Sequence, residues 1–245
     1  MKTLSAVLFI CAITLAMPVL HSQETYGQPE APLVAEVLGM DIRTSDAEEM
    51  KYVILGRLLD QYAAAQEIKV SQADIDAYLD AMQRMAEQDR ERRSERREEL
   101  QRMLADVKPD DDGYKALSAE LEMLDQLAAS LDEAANDTGE DREARVQVAS
   151  AFIKQWKINR ALHRQYGGRV IFQQGGPEPL DAYREFLEEQ QEKGAFSIAD
   201  KTLEDEFWKY YRTDSLHTFY PAGSPEEARA FETPWWLLDS PPDAR

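Results

Sequence analysis

The strongest constraint on the fold is an alternating spacing of three and four between apolar residues at positions 114 to 135. This heptad pattern predicts a long helix with one apolar stripe, which a second helix must cover. The stretch KPDDDG interrupts the helical pattern just before this stripe, and residues 100–107 carry another apolar stripe. We therefore expect an antiparallel helical hairpin, with a homodimeric coiled coil as the alternative. The longer stripe consists of Tyr114, Leu117, Leu121, Leu124, Ala128, Leu131 and Ala135.

The first helix of this hairpin contains a stretch, residues 87–99, without any apolar side chain. Charges of opposite sign four positions apart, such as Asp89 and Arg93, are typical of a solvated helix. The hairpin is therefore expected to form a charged arm over about residues 84–136. The interleaved acidic residues disfavour a basic nucleic-acid patch. The net charge of −19 also argues against nucleic acid and anionic membrane surfaces as partners, because both attract basic proteins.

Two further helices are expected before the arm. Apolar residues recur at helical spacing over residues 46–67, with Thr44 or Ser45 as the candidate cap. Ser71 then caps the next helix, and Asp74 completes a capping box. The joint between the helices contains the apolar residues Ile68 and Val70, whereas a solvated loop would have polar residues at these positions. We therefore expect the joint to pack inward between two helices.

The N-terminal residues 1–22 have the pattern of a secretory signal peptide. Lys2 gives the positive start, and residues 4–16 form an apolar stretch that is short for a membrane span. An N-terminal anchor is the alternative. Cys11 is the only cysteine, so a processed chain would form no disulfide, which suits an oxidising compartment. We expect export to the periplasm of a Gram-negative type of cell, no stable membrane insertion after cleavage, and a flexible lead-in at residues 23–32.

The remainder of the chain is expected to contain a helix at 141–166, a short strand at 169–174, a turn at GGPEP and helices at 179–193 and 202–212. Residues 175–245 are rich in aromatic side chains, which stabilise protein cores and interfaces alike. They indicate either the core of a small α-rich C-terminal lobe or a groove for extended apolar peptide segments. The aromatic residues concerned are Phe207, Trp208, Tyr210, Tyr211, Phe219, Tyr220, Phe231, Trp235 and Trp236.

The segment from Val34 to about Met82 resembles the N-terminal part of SurA-type periplasmic chaperones, whose helical peptide-binding fold is similar to that of trigger factor. The pattern is a short strand, VAEVLG, then a helix containing ILGRLLDQYAAAQE, then the joint IKVSQADIDAYL. The strand ends in Leu38-Gly39, where the family often has Asn-Gly. The resemblance implies a mainly α, SurA-like helical domain at 33–174. It also implies a small two-stranded sheet, in which residues 34–38 pair with residues 169–173.

The resemblance does not extend to a parvulin-type prolyl isomerase domain, for which neither residues 85–141 nor the C-terminal part has the pattern. After signal removal two histidines remain, His163 and His217, and neither has a partner at the spacing of a zinc site. The glycine pairs at 167–168 and 175–176 are not followed by the Lys-Ser/Thr of a phosphate loop. We therefore expect neither catalysis nor a cofactor.

The function that these observations favour is non-catalytic binding of unfolded or nascent exported proteins. The rival hypothesis is a dedicated interaction or assembly subunit that uses the heptad hairpin to hold one partner, and an enzyme, parvulin-related or other, is the third. Clients would be bound by exposed methionine and aromatic side chains. The candidate client-binding residues are Met82, Met85, Phe152, Trp156, Trp208, Trp235 and Trp236.

Overall fold

The computed structural model describes residues 31–136, 141–173 and 175–238, without the side chains of residues 132–136 and 141. The expected signal peptide lies outside the described residues, as does the lead-in at 23–32 up to residue 30. The elements are, in order, β1 (Leu33–Val37), β2 (Met40–Arg43), α1 (Ala47–Ala65), α2 (Gln72–Asp106), α3 (Asp112–Asn136), α4 (Asp141–Tyr166), β3 (Ile171–Gln173), β4 (Gly176–Glu178), α5 (Leu180–Glu192), β5 (Phe196–Ile198), α6 (Lys201–Arg212) and α7 (Pro225–Arg229). The expectation of a mainly helical protein is confirmed.

The helices begin where local chemistry satisfies their free backbone amides. Ser71 accepts from the amide of Asp74, and the Asp74 carboxylate accepts from the amide of Ser71, so the capping box of α2 is confirmed. The cap expected for α1 at Thr44 or Ser45 is wrong. Asp46 caps α1, because its carboxylate accepts from the amides of Glu48 and Glu49.

The strand pairing that was expected between residues 34–38 and 169–173 is wrong. Strand β1 is the centre of a three-stranded antiparallel sheet, with β2 on one side and β5 on the other. Strand β3 pairs instead with β4, which lies in the GGPEP stretch expected to be only a turn. Strands of three residues contain too little pattern to specify a partner. The SurA resemblance therefore gains no support from the sheets.

The turn between β1 and β2 is a tight two-residue hairpin turn. Leu38 and Gly39 have φ angles of 51° and 76°, as a type I′ turn requires at both positions. Glycine adopts such angles easily, whereas leucine does so at a cost of about 1 kcal/mol or more. The amide of Leu38 donates to the carbonyl oxygen of Ala195 at 2.7 Å, which holds this turn against the β5 end of the sheet.

One main core joins the two halves of the body. Residues from α1, β1, α4, α5, β5 and α6 contribute to it, so the aromatic residues of α6 share their core with α1 and β1. The part of the chain expected to form a separate C-terminal lobe therefore supplies nine of the 22 buried residues of this core. The described residues from 32 onwards form one compact unit. The largest fully buried side chains include Met50, Ile54, Leu58, Leu162, Leu180, Leu187, Phe196 and Phe207.

The expected helical hairpin is present, because α3 packs along α2. The guanidinium group of Arg96 donates to both carboxylate oxygens of Glu120, at 2.9 and 3.0 Å. Arg97 donates to Asp125 at 2.6 Å. The connection at residues 107–111 is short, so α2 and α3 run antiparallel, and these pairs join their facing sides. Leu100 is fully buried at the centre of the hairpin.

The joint between α1 and α2 packs inward, as its apolar residues indicated. Ile68 packs against the main core, and Val70 packs against a second cluster of buried residues. The joint thus connects the two apolar centres of the body. Among the described residues, no helix combines the length and apolarity needed to cross a membrane.

Candidate functional site

Six of the seven candidate client-binding residues lie together. They belong to the second buried cluster, where the first turns of α2 meet the middle of α4, and we call this set the arm-base cluster. Trp208 lies apart from it, in the main core. The arm-base cluster consists of Val70, Ile75, Tyr78, Leu79, Ala81, Met82, Met85, Val146, Ala149, Phe152, Ile153, Trp156, Trp235 and Trp236.

Helical spacing explains why α2 and α4 meet here. Ile75, Tyr78 and Met82 lie on one face of α2, since residues three and four apart are neighbours on a helix. Ala149, on α4, is fully buried and has only a methyl group, which allows the two helices to approach closely.

The rings of the arm-base cluster are arranged largely edge to face. Trp236 meets Tyr78 with ring centroids 5.1 Å apart and Trp156 with centroids 5.9 Å apart, at interplanar angles of 70° and 72°. Tyr78 in turn stacks on Phe152 at 6.2 Å. Edge-to-face contacts of this kind add to the free energy of burying the rings. Trp236 is therefore the centre of the cluster, although it comes from the C-terminal end of the described chain.

Part of the arm-base cluster remains accessible to solvent. Met82, Met85 and Phe152 are half-buried, whereas Trp156 and Trp236 are buried. Val148, the neighbour of Ala149 on α4, is 41% exposed. Methionine side chains are flexible and polarisable, so they adapt to apolar partners of different shape. This accessible rim is the part of the cluster that a partner chain can reach directly.

Polar groups hold one side of the cluster in place. Lys157 of α4 donates to the Asp74 carboxylate at 2.7 Å and to the Lys69 carbonyl oxygen at 2.8 Å. The hydrogen bonds from Lys157 and Ser71 lower the pKa of Asp74 to about 2. The α1–α2 joint and the start of α2 are thereby tied to α4.

Two buried donors at the cluster lack a hydrogen-bond partner among the described residues. They are the indole Nε1 of Trp156 and the Nε of Arg160, whose guanidinium lies 5.3 Å from the Trp156 ring. Burial, and then repulsion by Arg164, lowers the pKa of Arg160. A buried donor without a partner destabilises its surroundings by about 1–3 kcal/mol. The cluster therefore presents unsatisfied donors as well as apolar surface.

Trp208 is surrounded by core residues of α6. It is 4% exposed, meets Phe207 edge to face at 5.3 Å, and is covered by the Arg212 guanidinium at 4.1 Å. Its place in the main core separates it from any surface that a partner could reach.

The structure contains a buried polar group around Glu178 that no sequence pattern predicts. The Glu178 carboxylate is enclosed although the residue as a whole is only half-buried, and Tyr210 donates to both of its oxygens at 3.1 Å. Gln173 donates to the Tyr210 hydroxyl at 2.8 Å, and Lys51 lies 5.6 Å from the Tyr210 ring. Burial raises the pKa of Glu178 to about 7, against the effects of Tyr210 and Lys51. No spacing rule finds such a group, because Glu178 lies between two prolines in a short strand.

The two histidines among the described residues, His163 and His217, each lie against an aromatic ring. The His163 ring packs against Phe231 with centroids 4.9 Å apart. His217 Nε2 lies 2.6 Å from the Tyr210 carbonyl oxygen, to which it donates. Among the described residues no group of three or more His, Cys, Asp or Glu side chains is suited to a metal ion.

A second apolar surface lies on the arm. From the Arg96–Glu120 pair towards the base of the arm, the antiparallel register brings Leu124, Leu127 and Leu131 of α3 alongside residues 87–96 of α2. These three leucines are half-buried, and the part of α2 beside them carries charged side chains. Leu117 and Leu121, nearer the tip, are half-buried as well, so α2 covers the leucine stripe of α3 only in part.

Comparisons of this chain with protein-family models, curated proteins and solved structures gave no match.

Proposed function

We propose that this protein binds apolar segments of unfolded or partly folded polypeptides without catalysis, as a chaperone does. The observation that supports this most directly is the arm-base cluster, in which methionines and aromatic rings form a half-accessible apolar surface. Groups of aromatic and methionine side chains are enriched at protein-binding surfaces. The surface is fixed on two packed helices, so a partner would not have to order it.

The mechanism is reversible burial of a client segment against Met82, Met85 and Phe152. Burial of apolar area gives about 25 cal/mol per Å², which binds a short segment without holding it permanently. The charge of −19 keeps such a complex soluble through repulsion between copies. The projecting arm would add contact area beside the cluster.

The proposal is tested by replacing a half-buried methionine of the cluster. Met85→Asp should weaken binding of several unrelated unfolded proteins at least tenfold, measured by fluorescence anisotropy. Met123→Asp is the matched control, because Met123 is 62% exposed on the arm and should tolerate the charge. Circular dichroism on both variants checks that they fold. Equal binding by wild type and Met85→Asp would refute the proposed site, and binding of no unfolded protein would refute the function.

The location that we propose for this activity is the periplasm, from the signal-like pattern of residues 1–22. A reporter enzyme fused after Gln28 should reach the periplasm, and the processed chain should begin between residues 17 and 28. Recovery of the uncleaved fusion in the cytosol would contradict the proposal.

A second candidate function is that of a dedicated interaction subunit with one fixed partner. The half-covered leucine stripe of α3 favours it, because a partner helix laid along Leu124, Leu127 and Leu131 would complete a coiled-coil seam. The two functions differ in promiscuity. A chaperone should bind several unrelated unfolded chains, whereas an interaction subunit should bind one folded partner and lose it on Leu127→Asp.

A further inference from the structure

The chain itself supplies an apolar peptide to the arm-base cluster. Residues 231–238, here called the C-terminal segment, read FETPWWLL. A single 3₁₀ turn, Trp235–Leu237, follows Pro234 and contains both tryptophans. Leu237 and Leu238 end the segment. Leu237 and Leu238 are 42% and 39% exposed. The segment therefore has the composition of a client peptide, with aromatic anchors and apolar flanks.

The C-terminal segment is attached through side chains. The backbone hydrogen bonds found along residues 221–238 are local, such as Leu237 to Pro234 and Leu238 to Trp235. The preceding residues are attached differently, since Tyr220 donates from its backbone to Val170, and Phe172 donates to Thr218. A segment attached by side chains can leave without breaking a sheet or a helix.

Three aromatic anchors make the attachment. Phe231 packs on His163, and Trp236 fills the space between Tyr78 and Trp156. Trp235 lies against Gly176, where a Cβ atom would come within 2.4 Å of its Cδ1. The glycine thus provides the room that Trp235 occupies. Removing the segment would uncover Tyr78 and Trp156 and join them to the half-accessible rim at Met82 and Phe152.

We propose that the C-terminal segment is an intramolecular occupant of the client site, which clients displace. The inference rests on the proposed function and names the ligand class of the site, short segments with aromatic residues after a proline. The seated segment leaves Trp156 Nε1 and Arg160 Nε without partners. A client whose carbonyl groups reach these donors would bind more favourably than the resident segment, because it would satisfy them. The segment then closes the site when clients are scarce.

The competition is measurable. Only molecules whose C-terminal segment has left the site can bind an external peptide, so the apparent affinity is the intrinsic affinity multiplied by the fraction of such open molecules. The probe is a fluorescein-labelled peptide of sequence FETPWWLL, and its control has alanine at both tryptophans. The full-length chain is compared with Trp236→Ala and with a chain ending at Glu232. Tyr52→Ala, at an aromatic side chain 78% exposed on α1, serves as the control variant.

Trp236→Ala and the chain ending at Glu232 should bind the probe at least tenfold more tightly than the wild type and Tyr52→Ala do. The alanine peptide should bind to none of the four chains. Equal, weak binding of the probe by all chains would overturn the inference. Unfolding of both altered chains, seen by circular dichroism, would also overturn it, because the segment would then be an integral part of the core. Reduced and carboxymethylated α-lactalbumin is tested in parallel. Probe binding without binding of this unfolded protein would refute the proposed function and leave the intramolecular contact standing.

Discussion

The hydroxyl group of Tyr210 donates to the enclosed carboxylate of Glu178 from a position 3.1 Å from both oxygens. Burial of the carboxylate raises the pKa of Glu178 to about 7, and the opposing effects of Tyr210 and Lys51 do not offset it. The same burial, with the charge of Glu178, raises the pKa of Tyr210. Tyr183 and Tyr211 lie within the influence of the same charge. Near neutral pH the core of the body therefore contains a carboxyl group close to half ionisation.

This arrangement predicts that stability falls as the pH rises from about 4.5 to above 7. In that range the folded protein binds more protons than the unfolded chain, because the folded pKa lies above the ordinary value of 4.5. The loss at alkaline pH should be on the order of 3 kcal/mol for this group. Urea unfolding at several pH values measures it.

Glu178→Gln should flatten this pH dependence, because the amide keeps the shape of the side chain and cannot ionise. Glu192→Gln is the matched control at an exposed glutamate of α5 and should retain the wild-type slope. A Glu178→Gln protein with the same slope as wild type would show that another group is responsible.

The opposite dependence is predicted at acid pH for the link between α2 and α4. Hydrogen bonds from Lys157 and Ser71 lower the pKa of Asp74 to about 2, so its stabilising effect is complete above the ordinary value of 3.8. That effect is lost as the pH falls through about 2. Lys157→Ala should therefore reduce stability at pH 5 more than at pH 2. Lys154→Ala, which removes the more exposed pair with Asp60, is the comparison and should change little.

The arm should depend on Leu100 more than on any other single side chain of the hairpin. Leu100→Ala should cost about 2–5 kcal/mol of local stability, since the residue is 0% exposed and its removal leaves a cavity. Met103→Ala, three residues along and 41% exposed, should cost far less. Hydrogen exchange on both variants should place the loss in α2 beyond the body and in α3. Faster exchange throughout α1 would mean that the arm and body unfold together.

Sedimentation distinguishes the hairpin from a dimeric seam. The charge of Leu121→Asp lies on the stripe that faces α2, so it should loosen the arm and leave the molecular mass unchanged. If the half-covered stripe also joins two copies, wild type sediments as a dimer and the variant as a folded monomer.

Local patterns predicted the helices of this chain better than its sheets. The capping box at Ser71 and Asp74 and the glycines after Tyr166 act within a few residues, so sequence alone locates those helix ends. The pairing of β1 with β5 depends on contacts between residues far apart in sequence, and a strand such as FSI contains no information about its register. The heptad stripe predicted that α3 packs on α2. The charge pattern of residues 87–99 indicates a solvated helix, but it does not reveal that half-buried leucines of α3 lie beside it.

The sequence predicts which residues form most of the candidate site, but it does not predict that they contact one another. Met82 and Met85 follow from the stripe of α2, but nothing in the sequence places Trp235 and Trp236 against that stripe. Their contact depends on the path of residues 213–234, which contain only short turns and α7. Glu178 was missed for a related reason, since its hydrogen-bond partner Tyr210 lies 32 residues further along the chain, on α6.

Gly176 provides a last prediction, about the contact that seats Trp235. Gly176→Ala should displace the C-terminal segment, because its new Cβ would lie 2.4 Å from Trp235 Cδ1 and 2.6 Å from its Nε1. The φ angle of +107° adds backbone strain, so a control is needed that has strain alone. Gly39→Ala serves, with φ of +76° and no atom within 4 Å of the new Cβ.

Gly175→Ala is the second control, because its Cβ would meet only Phe152, at an ordinary distance of 3.9 Å. Gly176→Ala and Gly39→Ala should lose some stability and Gly175→Ala little, but only Gly176→Ala should speed hydrogen exchange in residues 231–238 and expose apolar surface to a fluorescent dye. If Gly39→Ala produces the same two changes, strain rather than the displaced indole is the cause. Unchanged exchange in Gly176→Ala would mean that Trp235 can shift aside without releasing Trp236, and that Trp236 alone holds the segment in place.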